Sequence, residues 1–168
     1  MAAAEDIQKI IDQEEGLVFA EFDENTAFAI GSLVRERALR EKLTLVADVR
    51  LWDRPLFFCA MPGTTGDNLN WVRRKANLVQ RMLKSTYRVV LETDTPGRVF
   101  PELRALPAAD FAIAGGGFPI RVRGIGVVGA MTVSGLHERD DHEVAVAAIC
   151  EHLGLDKQAF ALAPRIAA

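Results

Sequence analysis

This sequence of 168 residues has few cysteines and few aromatic residues, and it has no excess of basic residues. Cys59 and Cys150 are its only cysteines, too few for a disulfide framework in a chain long enough to bury a core of its own. The 20 basic residues are outnumbered by 23 acidic ones, which argues against a nucleic-acid surface and a polybasic membrane anchor. No apolar run approaches the ~20 residues needed to cross a bilayer. We therefore expect neither nucleic acid nor a membrane as a partner.

The amino-terminal segment shows no targeting signal. It reads Met1-Ala-Ala-Ala-Glu-Asp, without the positive start and apolar run of a signal peptide. Because both cysteines fit buried thiols of a reducing compartment, the expected location is the cytoplasm. No linker divides the chain, so we predict a single domain over residues 1–168, with a short helical N-terminus and a flexible tail from about residue 155.

Helical periodicity and capping residues predict four main helices. The first ends near Gly16, and the second is capped within Asp23–Asn25. The third runs from about Leu69 to Lys84, capped by Asp67 or Asn68, with a continuation past Tyr87 as an alternative. The last is opened by Asp140 or Asp141, covers Val144 to Leu153 and is closed by Gly154. The segment from Thr93 to Pro107 has three prolines and predicts mostly loop with one short helix.

Runs of β-forming residues predict the strands. The segments are Leu17–Phe22, Leu43–Leu51, Leu56–Met61, Phe111–Ala114, Phe118–Arg123 and Gly124–Ser134. Adjacent strands between helices favour an α+β fold, a central antiparallel sheet with helices packed on its faces. The stretch from Ile125 to Val133 is apolar on both alternating faces, so it must be covered on both sides. Either helices flank the sheet or a second subunit covers one face, and we expect a homo-oligomer.

Two sequence motifs resemble known sites but lack the necessary context. Gly124 to Gly129 reads GxGxxG, yet a strand follows where a dinucleotide site needs a helix. The segment from His137 to Glu143 is dense in histidine and acids, but its spacing matches no standard zinc pattern. Acids are expected at a helix start in any case. Ser134 has no nucleophile elbow around it. We predict no metal site and no serine hydrolase.

Lys75 and a glycine run are the most informative polar features. Lys75 lies on the apolar stripe of the third helix with Trp71 and Leu78. It either extends its ammonium to water over Trp71, or points into a cleft where a desolvated amine binds an anion or acts as a base. The run Gly115–Gly117 before Pro119 is either a strained turn or a backbone that approaches a ligand closely.

Several segments together resemble the haem-degrading domain family (GlcG/HbpS-like). They are Gly115-Gly-Gly-Phe-Pro-Ile120, Gly129-Ala-Met-Thr-Val-Ser-Gly135 and the helix start at Asp141-His-Glu-Val. Pro62-Gly-Thr-Thr-Gly-Asp-Asn68 followed by Trp71-Val-Arg-Arg-Lys75 is similar to the family's uncharacterised small-protein branch. The resemblance implies a profilin-like α+β fold and a homo-oligomer. It makes haem the cofactor to consider, since some relatives bind, degrade or sense haem.

The leading hypothesis from the sequence is a small oligomeric ligand-binding module. Its ligand would be a small anion or a tetrapyrrole propionate, held by Lys75 and by backbone N–H groups of the glycine turn. The alternatives are an enzyme of oxidative haem degradation and a structural or partner-docking protein. The candidate ligand-binding residues are Lys75, Arg73, Gly115, Gly116, Gly117, Phe118, Pro119, Ser134, His137 and His142.

Overall fold

The computed structural model describes residues 2–93 and 105–165. In chain order the helices are α1 (Ala2–Gly16), α2 (Glu24–Glu41), α3 (Gly66–Met82), α4 (Thr86–Glu92), α5 (Glu138–Leu153) and α6 (Lys157–Phe160). The strands are β1 (Val18–Phe19), β2 (Val46–Leu51), β3 (Arg54–Ala60), β4 (Gly117–Val122) and β5 (Gly126–Ser134). In these two described ranges no helix is long and apolar enough to span a membrane.

The strands form one sheet in the order β1-β4-β5-β2-β3. Three of its four pairings are antiparallel, and only the two-residue β1 runs parallel to its neighbour β4. The predicted α+β fold with a central antiparallel sheet is therefore confirmed, while the strand predicted over Leu17–Phe22 shrinks to Val18–Phe19. Strands β2 and β3 form a hairpin with a tight turn at Trp52 and Asp53.

Helices of the same chain cover both faces of the central strand β5. On one face, Ile30 and Val34 of α2 and Ile149 of α5 share a core cluster with Met131 and Val133 of β5. On the other face, α3 packs across β5 and β4. The predicted two-sided burial of this strand is confirmed, although Ile125 is wrongly included. Ile125 lies in the turn before β5 and is 74% exposed.

The third helix differs from its prediction at both ends. Its N-cap is Thr65 rather than Asp67 or Asn68, because the Thr65 hydroxyl accepts from Asp67 N–H and the Asn68 side chain accepts in return from Thr65 N–H. The helix ends at Met82, where Leu83 takes a left-handed conformation with φ 53°. A separate helix, α4, begins at Thr86, so the alternative of one helix continuing past Tyr87 is wrong.

One segment that follows α4 also differs from expectation. Residues 111–114 are not a strand. Side chains of α3 fix this stretch and the residues before it, since Arg74 donates to Ala108 O and Asn77 to Asp110 O. Most of the segment predicted as loop with one short helix, residues 94–104, lies outside the described residues.

The last part of the described chain packs against α1. After residue 155 it contains α6, and Leu162 is buried against Ile10 of α1. The flexibility of the tail from about residue 155 stays a prediction. Gln13 of α1 donates its Nε2–H to Phe160 O over 2.7 Å. Helix α5 begins at Glu138 with His137 as its N-cap, two or three residues earlier than the predicted Asp140 or Asp141. Gly154 closes it with φ 70° as predicted.

Candidate functional site

A cavity of about 440 Å³ opens between the N-terminal half of α3 and the loop that joins β5 to α5. This volume falls in the range of roughly 300–1,000 Å³ typical of small-molecule sites. Below, this cavity is called the α3–α5 pocket. Its lining residues are Asp67, Asn68, Trp71, Lys75, Ala114, Ser134, Gly135, Leu136, His137, Glu138 and Asp141.

A buried ion pair between Lys75 and Asp141 lies at the inner end of the pocket. Lys75 Nζ is 3.2 Å from Asp141 Oδ2 and donates a second hydrogen bond to Val133 O over 3.0 Å. Each side chain is only 3% exposed. The carboxylate is held from the other side, because Leu136 N–H donates to Asp141 Oδ1 over 2.9 Å. The pair therefore has a fixed geometry and one open side.

Burial disfavours both charges of this pair. Desolvation lowers the pKa of the Lys75 ammonium, and attraction to Asp141 opposes part of this change. Desolvation also raises the pKa of Asp141 to about 6, against the opposing effect of Lys75 and the backbone N–H donors. Both changes bring the two proton affinities closer together, so moving a proton from Lys75 to Asp141 costs less here than in water.

The outer part of the pocket combines an aromatic wall with acids. Trp71 Nε1–H donates to Asp67 Oδ2 over 3.2 Å, and the guanidinium of Arg74 stacks 4.6 Å from the Trp71 ring centroid. Glu138 Oε2 accepts from Gly115 N–H over 3.3 Å. Three carboxylates and one ammonium thus belong to the part of the lining that the structure describes.

His137 is oriented by its role as the N-cap of α5. Its Nδ1 accepts from Arg139 N–H over 3.2 Å. When one ring nitrogen accepts a hydrogen bond in a neutral imidazole, the other carries the proton, so Nε2 is a donor. In this arrangement His137 can donate to a ligand in the pocket, but it has no free lone pair for a metal. No group of three or more His, Cys, Asp or Glu side chains in residues 2–93 and 105–165 is placed to hold a metal ion.

The glycine run lies behind the floor of the pocket, and Ala114 is its neighbour on the lining. Gly115 N–H donates to Glu138 and Gly117 N–H to the Thr86 hydroxyl. Gly116 has φ +131°, and a Cβ there would lie 2.8 Å from Lys75 Nζ. These glycines allow close packing around Lys75. Two of their three N–H groups already have partners and do not face a ligand.

Four other predicted site residues lie away from the pocket. Phe118 packs its ring edge-on against His142 with centroids 5.8 Å apart, and Pro119 is buried in β4. His142 is fully buried, its Nε2 lies 2.7 Å from Gln13 Oε1, and burial lowers its pKa to about 3. Arg73 is exposed and donates to Asp110 Oδ1 and Ala109 O. Of the ten predicted residues, the structure brings together Lys75, Ser134 and His137 in the pocket.

Three acidic members of the pocket were missed by reasoning from sequence. Glu138 and Asp141 appeared only as the acids expected at a helix start, and Asp67 appeared as a helix cap. The missed signal for Asp141 is its place after a strand that ends in Ser134-Gly135, where the chain turns back over α3. Trp71 was recognised only as a neighbour of Lys75 on the helical stripe.

The geometry thus defines the class of protein. It is a small α+β domain whose sheet has helices on both faces and whose acidic pocket lies at the junction of β5 and α5. The chain belongs to a family described as haem degrading protein HbpS-like, whose model matches residues 22–150. It is 54% identical over 163 residues to a UPF0303 protein of Mesorhizobium japonicum, covering 97% of this chain and 98% of the relative.

Two solved structures share this fold. The Ybr137w protein superposes with a TM-score of 0.78 at 23% identity, covering 88% of this chain and 87% of that one. A complex of PduOC with haem superposes with a TM-score of 0.63 at 20% identity, covering 79% of this chain and 94% of that one. At these identities the likeness establishes the architecture, which agrees with the profilin-like fold expected from the sequence.

Proposed function

We propose that this protein is a binding module for a small organic ligand that enters the α3–α5 pocket. The ligand carries a flat apolar part and a positively charged or hydrogen-donating group. The observation that carries this proposal is the Trp71 wall with the Asp67 carboxylate beside it, above an ammonium that Asp141 already pairs. Aromatic faces and carboxylates together are the usual partners of organic cations.

The charge of the pocket favours this class of ligand over the small anion expected from the sequence. Among the described lining residues Lys75 is the one cationic side chain, and Asp141 neutralises it at 3.2 Å. The Arg74 guanidinium lies outside this lining, on the Trp71 ring. An inorganic anion would also approach Asp67, and repulsion between like charges in a partly desolvated cleft is costly. The positive field that steers anions to their sites is therefore weak here. A cationic or neutral ligand meets no such cost.

A haem-like tetrapyrrole is the second candidate, supported by the family and by the PduOC complex with haem. In this chain the groups available to a propionate are the Lys75 ammonium and the Nε2–H of His137, with Ser134 beside them. Such a ligand would contact the pocket by its edge. Oxidative haem degradation, the enzymatic alternative, requires turnover of bound haem in the presence of a reductant and oxygen.

A matched pair of probes tests the proposed ligand class. Benzylammonium and benzoate have the same ring and opposite charge, and Trp71 fluorescence reports their entry in a Trp52→Phe background. We expect benzylammonium to quench Trp71 and benzoate to have little effect at the same concentration. Glu138→Gln should weaken benzylammonium binding by about fivefold or more, the size of one charge-assisted contact. Glu151→Gln makes the same change on the exposed side of α5 and should leave binding unchanged.

A haemin titration distinguishes the second candidate. A Soret shift that is lost in Lys75→Met and His137→Gln would favour the tetrapyrrole. If benzoate binds more tightly than benzylammonium, the proposed charge preference is wrong. If neither probe reaches Trp71 and haemin gives no shift, the pocket is not the binding site and the docking-protein alternative gains support.

We also propose that the chain forms a homo-oligomer in the cytoplasm. Strand β3 is an outer strand of the sheet, and Phe58 on it is 45% exposed. Phe28 of α2 is 65% exposed and packs edge-on against Phe57 of the same strand. Exposed aromatic side chains on an outer strand favour association with another chain. Light scattering should give a mass above one chain, and Phe58→Glu should reduce it; a monomeric wild-type protein would refute this. Two free thiols support the cytoplasmic location.

A further inference from the structure

We propose that Lys75 is a nucleophile that forms an imine with an aldehyde or ketone bound in the α3–α5 pocket. This inference rests on the proposed function, since it requires that the same pocket admit a small organic molecule. It goes further by assigning a covalent step, a substrate class and a proton acceptor. Three observations support it: the position of Lys75, the partner that receives its proton, and the cavity that reaches its amine.

Lys75 is the one lysine of this chain that faces the cavity. The sequence holds four others, Lys9, Lys42, Lys84 and Lys157. Lys84 is paired with Glu92 at 2.9 Å and Lys157 with Glu151 at 3.4 Å, both at the surface. A hydrated surface ammonium is a poor nucleophile because it stays protonated near pH 7. Burial lowers the proton affinity of a lysine amine and thereby favours its reaction with carbonyl compounds.

Asp141 is positioned to take the proton that Lys75 must lose. Its Oδ2 lies 3.2 Å from Nζ, and Leu136 N–H holds its other oxygen at 2.9 Å. Burial lowers the pKa of the amine and raises that of the carboxyl, so the transfer is easier here than in water. Val133 O accepts a second hydrogen of Nζ at 3.0 Å and helps to orient the amine.

The cavity reaches the amine. Lys75 belongs to its lining together with Ser134 and Trp71. Gly116 packs closely against Nζ, since a Cβ there would lie 2.8 Å from it, so a ligand approaches the amine from the cavity. A carbonyl carbon can therefore reach Nζ while an attached ring lies along Trp71, and the Nε2–H of His137 is available to the carbonyl oxygen.

The reaction balances without an oxidant or a reductant. The Lys75 ammonium passes a proton to the Asp141 carboxylate, and the neutral amine attacks the carbonyl carbon. The C–N bond forms as the C=O π bond breaks, and a proton moves from nitrogen to oxygen to give a carbinolamine. Asp141 then protonates the hydroxyl group, which leaves as water while the C=N bond forms. The products are a protonated imine on Lys75, one water and the Asp141 carboxylate.

Reductive trapping tests this step. The wild-type protein is treated with benzaldehyde and sodium cyanoborohydride at neutral pH, and the benzylated lysines are located by peptide mass spectrometry. We expect Lys75 to be modified about tenfold or more faster than the exposed Lys42, against the order of their exposure. Asp141→Asn should slow the labelling of Lys75 by about tenfold or more, as removal of a proton acceptor does, and leave the labelling of Lys42 unchanged.

Two further measurements distinguish a failure of the covalent step from a failure of the proposed binding function. Saturating benzyltrimethylammonium, which has no N–H group to condense with the aldehyde, should protect Lys75 and not Lys42, and this needs no variant that could misfold. Lys75→Arg should abolish the labelled peptide and spare the others. If benzylammonium binds as proposed while Lys75 stays unlabelled, the covalent step is refuted and the binding function stands. If Lys75 is labelled although neither charged probe binds, the proposed ligand class is refuted and the nucleophile stands.

Discussion

The ammonium of Lys75 occupies space that only a glycine at position 116 leaves open. A Cβ at residue 116 would lie 2.8 Å from Lys75 Nζ and would also collide with Val133 O, the carbonyl that accepts a hydrogen bond from the same ammonium. The glycine run and the buried lysine are therefore one unit. The turn of Gly116 and the position of Lys75 depend on each other.

Gly116→Ala is expected to destabilise the protein by about 3 kcal/mol or more. Its φ of +131° is costly for any residue with a side chain, by roughly 1–3 kcal/mol, and the collision with Val133 O adds to this. Urea unfolding measures the loss. Gly66→Ala is the matched control, because a Cβ there meets nothing within 4 Å at the start of α3. It should be neutral or stabilising by up to about 1 kcal/mol. Equal losses in the two variants would contradict the prediction.

The Lys75–Asp141 pair should behave as a coupled unit when it is broken at pH 8. Lys75→Met leaves the Asp141 carboxylate ionised, buried and without its cation, which costs about 3–5 kcal/mol. Adding Asp141→Asn removes that charge and keeps an oxygen for Leu136 N–H. The double variant should thus recover much of the stability, by about 2 kcal/mol in urea unfolding. Losses that simply add would show that the two groups do not interact.

The buried His142 should make the protein sensitive to acid. Burial lowers its folded-state pKa to about 3, with a smaller contribution from Arg139, against 6.5 in an unfolded chain. Between these two pKa values, His142 therefore binds a proton in the unfolded state and stays unprotonated in the folded state. Stability falls as the pH drops from about 6.5 towards 3, by roughly 3–5 kcal/mol over that window.

His142→Gln isolates this effect. We expect a loss of about 1–3 kcal/mol at pH 7 from altered packing and bonding to Gln13, but a shallower decline towards pH 4.5 than in the wild type. The comparison with wild type is needed because the raised pKa of Asp141 shifts stability in the opposite direction between about pH 4 and 6. His152→Gln, at the surface of the same helix, should keep the wild-type slope. A parallel decline in all three proteins would refute the assignment.

Local patterns predicted the elements well, but not the partners across the fold. The apolar alternation of β5 and the helical stripe of α3 follow from single-residue periodicity, and the stripe placed Lys75 on the apolar side of its helix. Asp141 lies 66 positions from Lys75, and their contact depends on the sheet order that brings β5 beneath α3. No local signal encodes that order. The acids of the pocket were therefore interpreted as caps.

Neighbouring residues of α5 show the same limit. Asp141 and His142 are adjacent, and sequence reasoning treated them with His137 as one polar cluster. A helix turns about 100° per residue, so Asp141 faces the pocket while His142 enters the core beside Tyr87 and Phe118. The direction in which each residue points depends on how α5 packs against the sheet. This packing is a property of the folded structure.

Gln13 ties the two ends of the described chain to α5. Its amide donates to Glu143 and to Phe160 O, and its carbonyl meets His142. A deletion of α1 would thus remove the hydrogen-bond partner of Nε2 in a fully buried imidazole and release the segment around α6 at the same time. Truncation of either end should therefore destabilise the other. Affinity tags or fusion partners placed at these ends need a spacer that leaves the hydrogen bonds of Gln13 intact.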